Sequence, residues 1–193
     1  MCKYFYPILV LVFISCSGTK PKMLLPEKVS PDVYEVLLEN ETVKVIKVSF
    51  APGQTDNMHD HYPFTFHILD GGKVHVIMPD GTINEREIPG GFTGHNGNGV
   101  RHQVKNIGSE ELKIILIEHK KLGDIPSFDT DESLSPHKVS SDIYELVHED
   151  EKIKIYLASF EAGKSDKVHE HGANTAYIIK GGTVKVSGPD GSV

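Results

Sequence analysis

Gly53-Gln54-Thr55-Asp56-Asn57-Met58-His59-Asp60-His61-Tyr62-Pro63-Phe64-Thr65-Phe66-His67-Ile68-Leu69-Asp70-Gly71-Gly72 decides the reading of this chain. His59 and His61 stand two apart, and on an extended segment alternation sends both rings to one face, about 6.6 Å apart at the backbone. Two ring nitrogens so placed share one cation, at about 2.0 to 2.1 Å for a zinc-like ion, when a third ligand arrives from another strand. His102 is the candidate third ligand. It follows the Gly-rich stretch Gly94 to Gly99 and precedes Asn106 by four residues, on the same face if the strand runs straight.

Outward from this stretch, the flanking sequence is built of short strands. Val43 to Phe50, Lys73 to Met78, Thr82 to Ile88 and the more continuous apolar run Leu112 to Glu118 carry strand patterns. Ala51-Pro52-Gly53, Asp70-Gly71-Gly72, Pro79-Asp80-Gly81 and Pro89-Gly90-Gly91 separate them with turn chemistry. With 18 Gly, 11 Pro and no Trp in 193 residues, the composition favours strands and turns over long helices. The expected fold is all-β, a β-barrel of jelly-roll type.

The same pattern occurs twice. Sliding the sequence by 110 residues aligns Pro26 to Ile83 with Pro136 to Val193 without a gap. Tyr34-Glu35, Lys44, Ser49-Phe50, Gly53, Asp56, His59, His61, Thr65 and Pro79-Asp80-Gly81 all recur identically. The expected organisation is a first domain over 26–120, a linker over 121–138 rich in Asp, Ser and Pro, and a second, incomplete copy over 139–193. A fragment of a longer product is the favoured explanation of the missing part, since an unfinished sheet leaves strand edges unpaired; a natural truncation is the alternative.

Gly53, five residues, His59, one residue, His61, three residues, Thr65, six residues and Gly72 resemble the first motif of the cupin superfamily, which has Glu where this chain has Thr65. Pro89, Gly91, His102 and Asn106 are similar to the second motif. The resemblance implies a tandem of cupin barrels. It also implies a divalent transition metal (Fe, Mn, Zn, Ni or Cu) inside the first barrel, held by His59, His61 and His102, and a small organic molecule as substrate or ligand. Thr stands at the Glu position in both copies, Thr65 and Thr175, and some cupin dioxygenases are similar in using three His alone; a dioxygenase-like oxidoreductase is the activity implied. A noncatalytic carrier of metal or small ligand is the rival. His169 and His171 repeat the pair and are expected to form at best a weak second metal site.

His67, two residues after Thr65, is expected to face the barrel interior and to be the residue that moves a proton in catalysis; Tyr177 replaces it in the second copy. His75 is expected to face solvent, His95 to lie in the Gly-rich loop, and His119, His137 and His148 to be surface residues without convergent partners. Arg101 is expected in a surface ion pair. Twenty Lys+Arg against 27 Asp+Glu leave a net charge of −7, so nucleic acid is an unlikely partner class. Cupins often pair barrels edge to edge, so a homodimer is a candidate assembly.

The N-terminus carries its own signal. Lys3, the apolar run from Pro7 to Ile14 and Phe13-Ile14-Ser15-Cys16 resemble a bacterial lipoprotein signal over residues 1–15, with Cys16 as the lipidated residue. Residues 16–25 then form a tether. The expectation is export and anchoring of the domain in the cell envelope, facing the periplasm or the surface, by lipid on Cys16; an ordinary secretory signal cut nearby is the alternative, and export follows from either. With Cys2 leaving in the signal, the mature domain has no thiol for disulfides or metal.

Overall fold

A computed structural model describes residues 22–124 and 131–192. The signal segment and Cys16 therefore lie outside the described residues. Among those described, no helix is long and apolar enough to cross a membrane.

The first copy opens with the single-turn helix α1 (Pro26–Val29). Nine strands follow: β1 (Tyr34–Glu39), β2 (Val43–Phe50), β3 (His59–His61), β4 (Phe64–Asp70), β5 (Gly72–Ile77), β6 (Ile83–Ile88), β7 (Thr93–Asn96), β8 (Val100–Asn106) and β9 (Leu112–His119). They form two antiparallel sheets, ordered β1-β2-β9-β4-β7 and β3-β8-β5-β6. Val33, Tyr34, Ile46, Val48, Phe50, Phe64, Ile68, Val74, Leu112 and Leu116 make a buried core joined by Phe66, Val76, Val100 and Val104. Alternation explains the membership: even-numbered residues of β2, β4, β8 and β9 face this core, and odd-numbered residues face away. Each fully buried aliphatic or aromatic side chain contributes roughly 1.5 to 3 kcal/mol.

The strand patterns in the sequence match these elements closely, and the turns fall where Gly and Pro cluster. Gly99 illustrates the constraint near His61: its φ is +66°, and a Cβ there would stand 2.5 Å from the His61 carbonyl oxygen. Only Gly enters β8 along this path.

In the second copy, α2 (Pro136–Val139), β10 (Tyr144–Glu149) and β11 (Lys154–Ala158) repeat α1, β1 and β2. The register is the same, Tyr34↔Val48 against Tyr144↔Ala158, and so is the bulge, at Val36/Leu38 and at Leu146/His148. From 159 to 192 no strand forms among the described residues. Val168, Ile178, Ile179, Val184 and Val186 are exposed there. In the first copy the corresponding segments are held against β8 and β9, and these 193 residues contain no counterpart of either strand.

Candidate metal centre

His59 and His61 sit at the two ends of the three-residue strand β3, and His102 lies directly opposite His59 on β8. Parity does the rest: Val100, His102, Val104 and Asn106 share the inward face of β8, so the cross-strand pairing delivers His102 to the same side as the other two rings. Ring centroids are 4.6 Å apart for His59 and His61, 4.8 Å for His59 and His102, and 5.2 Å for His61 and His102. One ligand nitrogen from each ring lies within 4.8 Å of the others. His59 and His61 are buried and His102 is partly open.

The Asn57 carbonyl accepts from His59 Nδ1 at 2.8 Å, which aims Nε2 inward, 2.8 Å from His61 Nε2. His61 Nδ1 lies 2.6 Å from Glu118 Oε1. Burial pushes the Glu118 pKa up to about 7 in spite of the nearby Lys44 ammonium. Burial, then the charge of the adjacent rings, pushes His61 and His102 down to about 3, and both are neutral ligands at ordinary pH.

Around the rings, Tyr34 donates to Asp56 at 2.6 Å, and its oxygen stands 3.2 Å from His59 Nε2. Burial raises the Asp56 pKa against these hydrogen bonds. Lys44, 1% exposed, is held by Glu27 at 2.9 Å and approaches Glu118 Oε2 at 4.0 Å. Burial alone would lower its pKa, but the Glu27 hydrogen bond and the surrounding carboxylates leave it raised.

The donor set fits a divalent transition ion. With bonds of about 2.05 Å, two nitrogens on one ion stand about 2.9 Å apart at a right angle and about 3.3 Å apart in a tetrahedron. The 2.8 Å between the two Nε2 atoms needs only a small opening. Binding would place the His61 proton on Nδ1, donated to a Glu118 carboxylate, the arrangement that orients metal-bound imidazoles. Replacing Glu118 with Gln is expected to weaken metal affinity about 10- to 100-fold, as such supporting groups do; a competition titration with a chromogenic Zn²⁺ chelator measures it.

Asn106, inward as expected, is structural: its side chain bonds the carbonyls of Phe50 and Glu110 and the Gly108 amide. Arg101 faces out and pairs with Asp60 through two bonds of 2.6 and 2.7 Å. His75 lies at the surface opposite Glu85.

Three expectations are corrected. Thr65 and His67 do not face the barrel interior, because on β4 it is Phe64, Phe66 and Ile68 that join the core. His67 instead bonds the Thr93 hydroxyl at 2.7 Å on the outer face, paired with Ile115 and Thr93, so it cannot move a proton at the three rings. Among the described residues His169 and His171 join no cluster of three ligating groups: their rings are 5.6 Å apart, His171 is exposed, and His169 keeps the local contacts of its counterpart, to the Lys167 carbonyl, Asp166 and the Tyr144 ring. His119 and His148 are not isolated surface residues, and His95 sits in β7 rather than a loop; the three lie close together.

Glu118 is the residue the sequence reading missed. Its signal was there: a single acid closing the run Leu112-Lys113-Ile114-Ile115-Leu116-Ile117-Glu118, on the inward parity of Leu112, Ile114 and Leu116.

Two antiparallel sheets close a barrel in which an HxH strand pairs in register with the strand bearing the third His, and an Asn four residues on ties the turn. The arrangement resembles a cupin barrel. The cupin structures similar to this chain include a cupin domain from Bordetella pertussis Tohama I, at 27% identity over 46% of this chain and 92% of that one, TM-score 0.43. Another is an RmlC-like cupin with a double-stranded β-helix fold from Methanocaldococcus jannaschii, at 17% identity over 58% and 93%, TM-score 0.38. A third is the polyketide cyclase RemF from Streptomyces resistomycificus, at 14% identity over 46% and 64%, TM-score 0.36. No family model matches the sequence, and no curated protein matches it.

Proposed function

We propose that this cupin-like barrel binds a divalent transition metal through His59, His61 and His102 and acts on a small organic molecule at the coordination positions the protein leaves open. The observation that carries the reading is the convergence of three imidazoles from two paired strands, His59 and His61 buried and His102 partly open, each of the β3 rings fixed by a partner on its far nitrogen. A bound ion would supply Lewis-acid or redox chemistry there, and an oxidoreductase of dioxygenase type is the activity the cupin resemblance favours. The chain itself orients His59 through the Asn57 carbonyl, orients His61 through Glu118, and walls the site with Tyr34 and Phe64, whose rings stand 5.1 Å from His59 and from His61. Three neutral ligands leave the charge of the ion uncompensated in its immediate shell, which suits an anionic or chelating ligand.

The burial of His59 and His61 also favours a second reading, a noncatalytic metal or small-ligand carrier. Metal analysis of purified chain combined with O₂ consumption across phenolic, diketone and thiol substrates separates the two. Metal-dependent turnover supports the enzyme, and tight metal without turnover supports the carrier.

Export and lipid anchoring through Cys16 complete the proposal. Radiolabelled palmitate is expected to enter the wild-type chain expressed in bacteria and not the Cys16→Ser chain; equal labelling of both would contradict lipidation at this residue. Pairing of two barrels into a homodimer is part of the same proposal, read by the mass of the chain in solution.

A further inference from the structure

A second cluster of ligating groups lies on the outer face of the five-stranded sheet, where the β10–β11 hairpin approaches β7. Thr65, His95 and His119 share that face, and Thr65 places its hydroxyl 3.3 Å from His95 Nδ1 and 3.0 Å from His119 Nε2. With Nδ1 engaged, His95 presents Nε2 to the hairpin. That nitrogen is buried, its side chain is 4% exposed, and it has no hydrogen-bond partner. Facing it are His148, whose ring lies 5.1 Å from that of His95, and Asp150, whose Oδ2 is 3.9 Å from His95 Nε2 and 3.1 Å from His148 Nε2.

The repeat makes the cluster informative. At the 110-residue offset His148 corresponds to Leu38 and Asp150 to Asn40, within hairpins of the same register. Both hairpin turns use one side-chain oxygen in the same way: Asn40 Oδ1 accepts from the amides of Thr42 and Val43, and Asp150 Oδ1 from those of Lys152 and Ile153. The turn needs only that oxygen. Asp in place of Asn leaves the turn intact and replaces an amide group by an anionic oxygen, Oδ2, directed at the two imidazoles. Among the positions at which the two hairpins differ are the two that supply ligands opposite His95.

We propose a second divalent-cation site, distinct from the barrel centre, formed by His95 Nε2, His148 Nε2 and Asp150 Oδ2 where the second copy's hairpin meets the first copy's sheet. Two imidazoles and one carboxylate are a common set for Zn²⁺, and the ligand atoms lie within 4.8 Å of one another. Thr65 positions His95 from behind, as Asn57 positions His59 in the barrel. A bound ion would fasten β10 to the edge strand β7, joining the two copies through a contact that neither copy makes alone.

The test compares Zn²⁺ stoichiometry, by equilibrium dialysis and elemental analysis, in the wild-type chain and in His148→Leu/Asp150→Asn. That double variant installs the first copy's own residues in a hairpin of the same geometry, and circular dichroism verifies that it folds. The wild-type chain is expected to bind one more ion per chain than the variant, and His95→Gln to lose the same ion. A His59→Ala/His61→Ala chain is expected to keep it, so failure of the barrel centre and failure of this site are read separately. Equal stoichiometry in the wild-type, His148→Leu/Asp150→Asn and His95→Gln chains would overturn the proposal.

Discussion

In the His148→Leu/Asp150→Asn background, where only the barrel centre reports, Zn²⁺ at a thousand times its Kd is expected to raise the melting temperature by about 15 to 30 °C. The arithmetic is linkage: an ion that binds only the folded chain stabilises it by about 4 kcal/mol at that excess, and each kcal/mol moves the midpoint by about 4 to 8 °C for a domain of this size. His102→Ala is expected to remove most of that shift, because it takes away one of three ligands and leaves the β3 pair without closure from β8. His102→Gln, which keeps the volume of the side chain more nearly, separates ligand loss from a cavity. Differential scanning calorimetry with and without Zn²⁺ measures both, and a metal-induced shift of full size in the two variants would show that His102 is not a ligand.

The metal-free chain is expected to lose stability steeply in acid. His61 and His102, at about 3, and His119, at about 4, all fall below the ordinary 6.5 through burial. Below pH 6.5 the unfolded chain takes up these protons and the folded chain does not, so acidification favours unfolding. Glu118, raised to about 7, works the other way: its contribution is full below 4.5 and lost as pH rises through 7, so between 4.5 and 6.5 it offsets one of the three rings. The net is about two protons, or roughly 2.7 kcal/mol per pH unit between pH 6.5 and 3. Across three units that approaches the whole stability of a domain, about 5 to 15 kcal/mol. Urea denaturation of metal-free protein at a series of pH values is expected to show unfolding without denaturant near pH 4; a stability constant from pH 7 to pH 4 would contradict the buried, neutral state of the rings.

How much of this was legible in the sequence follows from the range of each signal. The strands of the first copy were readable because alternation and Gly-Pro turns are local, and β2, β5, β6 and β9 fall where those patterns place them. The three barrel histidines were readable because HxH fixes two rings on one face and the third needs only inward parity on its strand. Glu118 was legible only in part: its inward parity on β9 is local, but its partner His61 is 57 residues away and no local pattern names it. The facing of β4 was misread at Thr65 and His67 because the family's Glu position was taken as inward; Phe64 and Phe66, the large apolar side chains, take that face. His95 and His148, 53 positions apart in the chain, meet only through the docking of β10 on β7, a contact that no periodicity encodes.

The most direct test of the central claim is X-ray absorption at the metal edge of the Zn²⁺-loaded His148→Leu/Asp150→Asn chain, where the barrel holds the one expected ion. The account predicts three imidazole nitrogens at about 2.0 to 2.1 Å, falling to two in His102→Ala. A wild-type-like spectrum in His102→Ala, or fewer than three imidazoles in the parent, would contradict it.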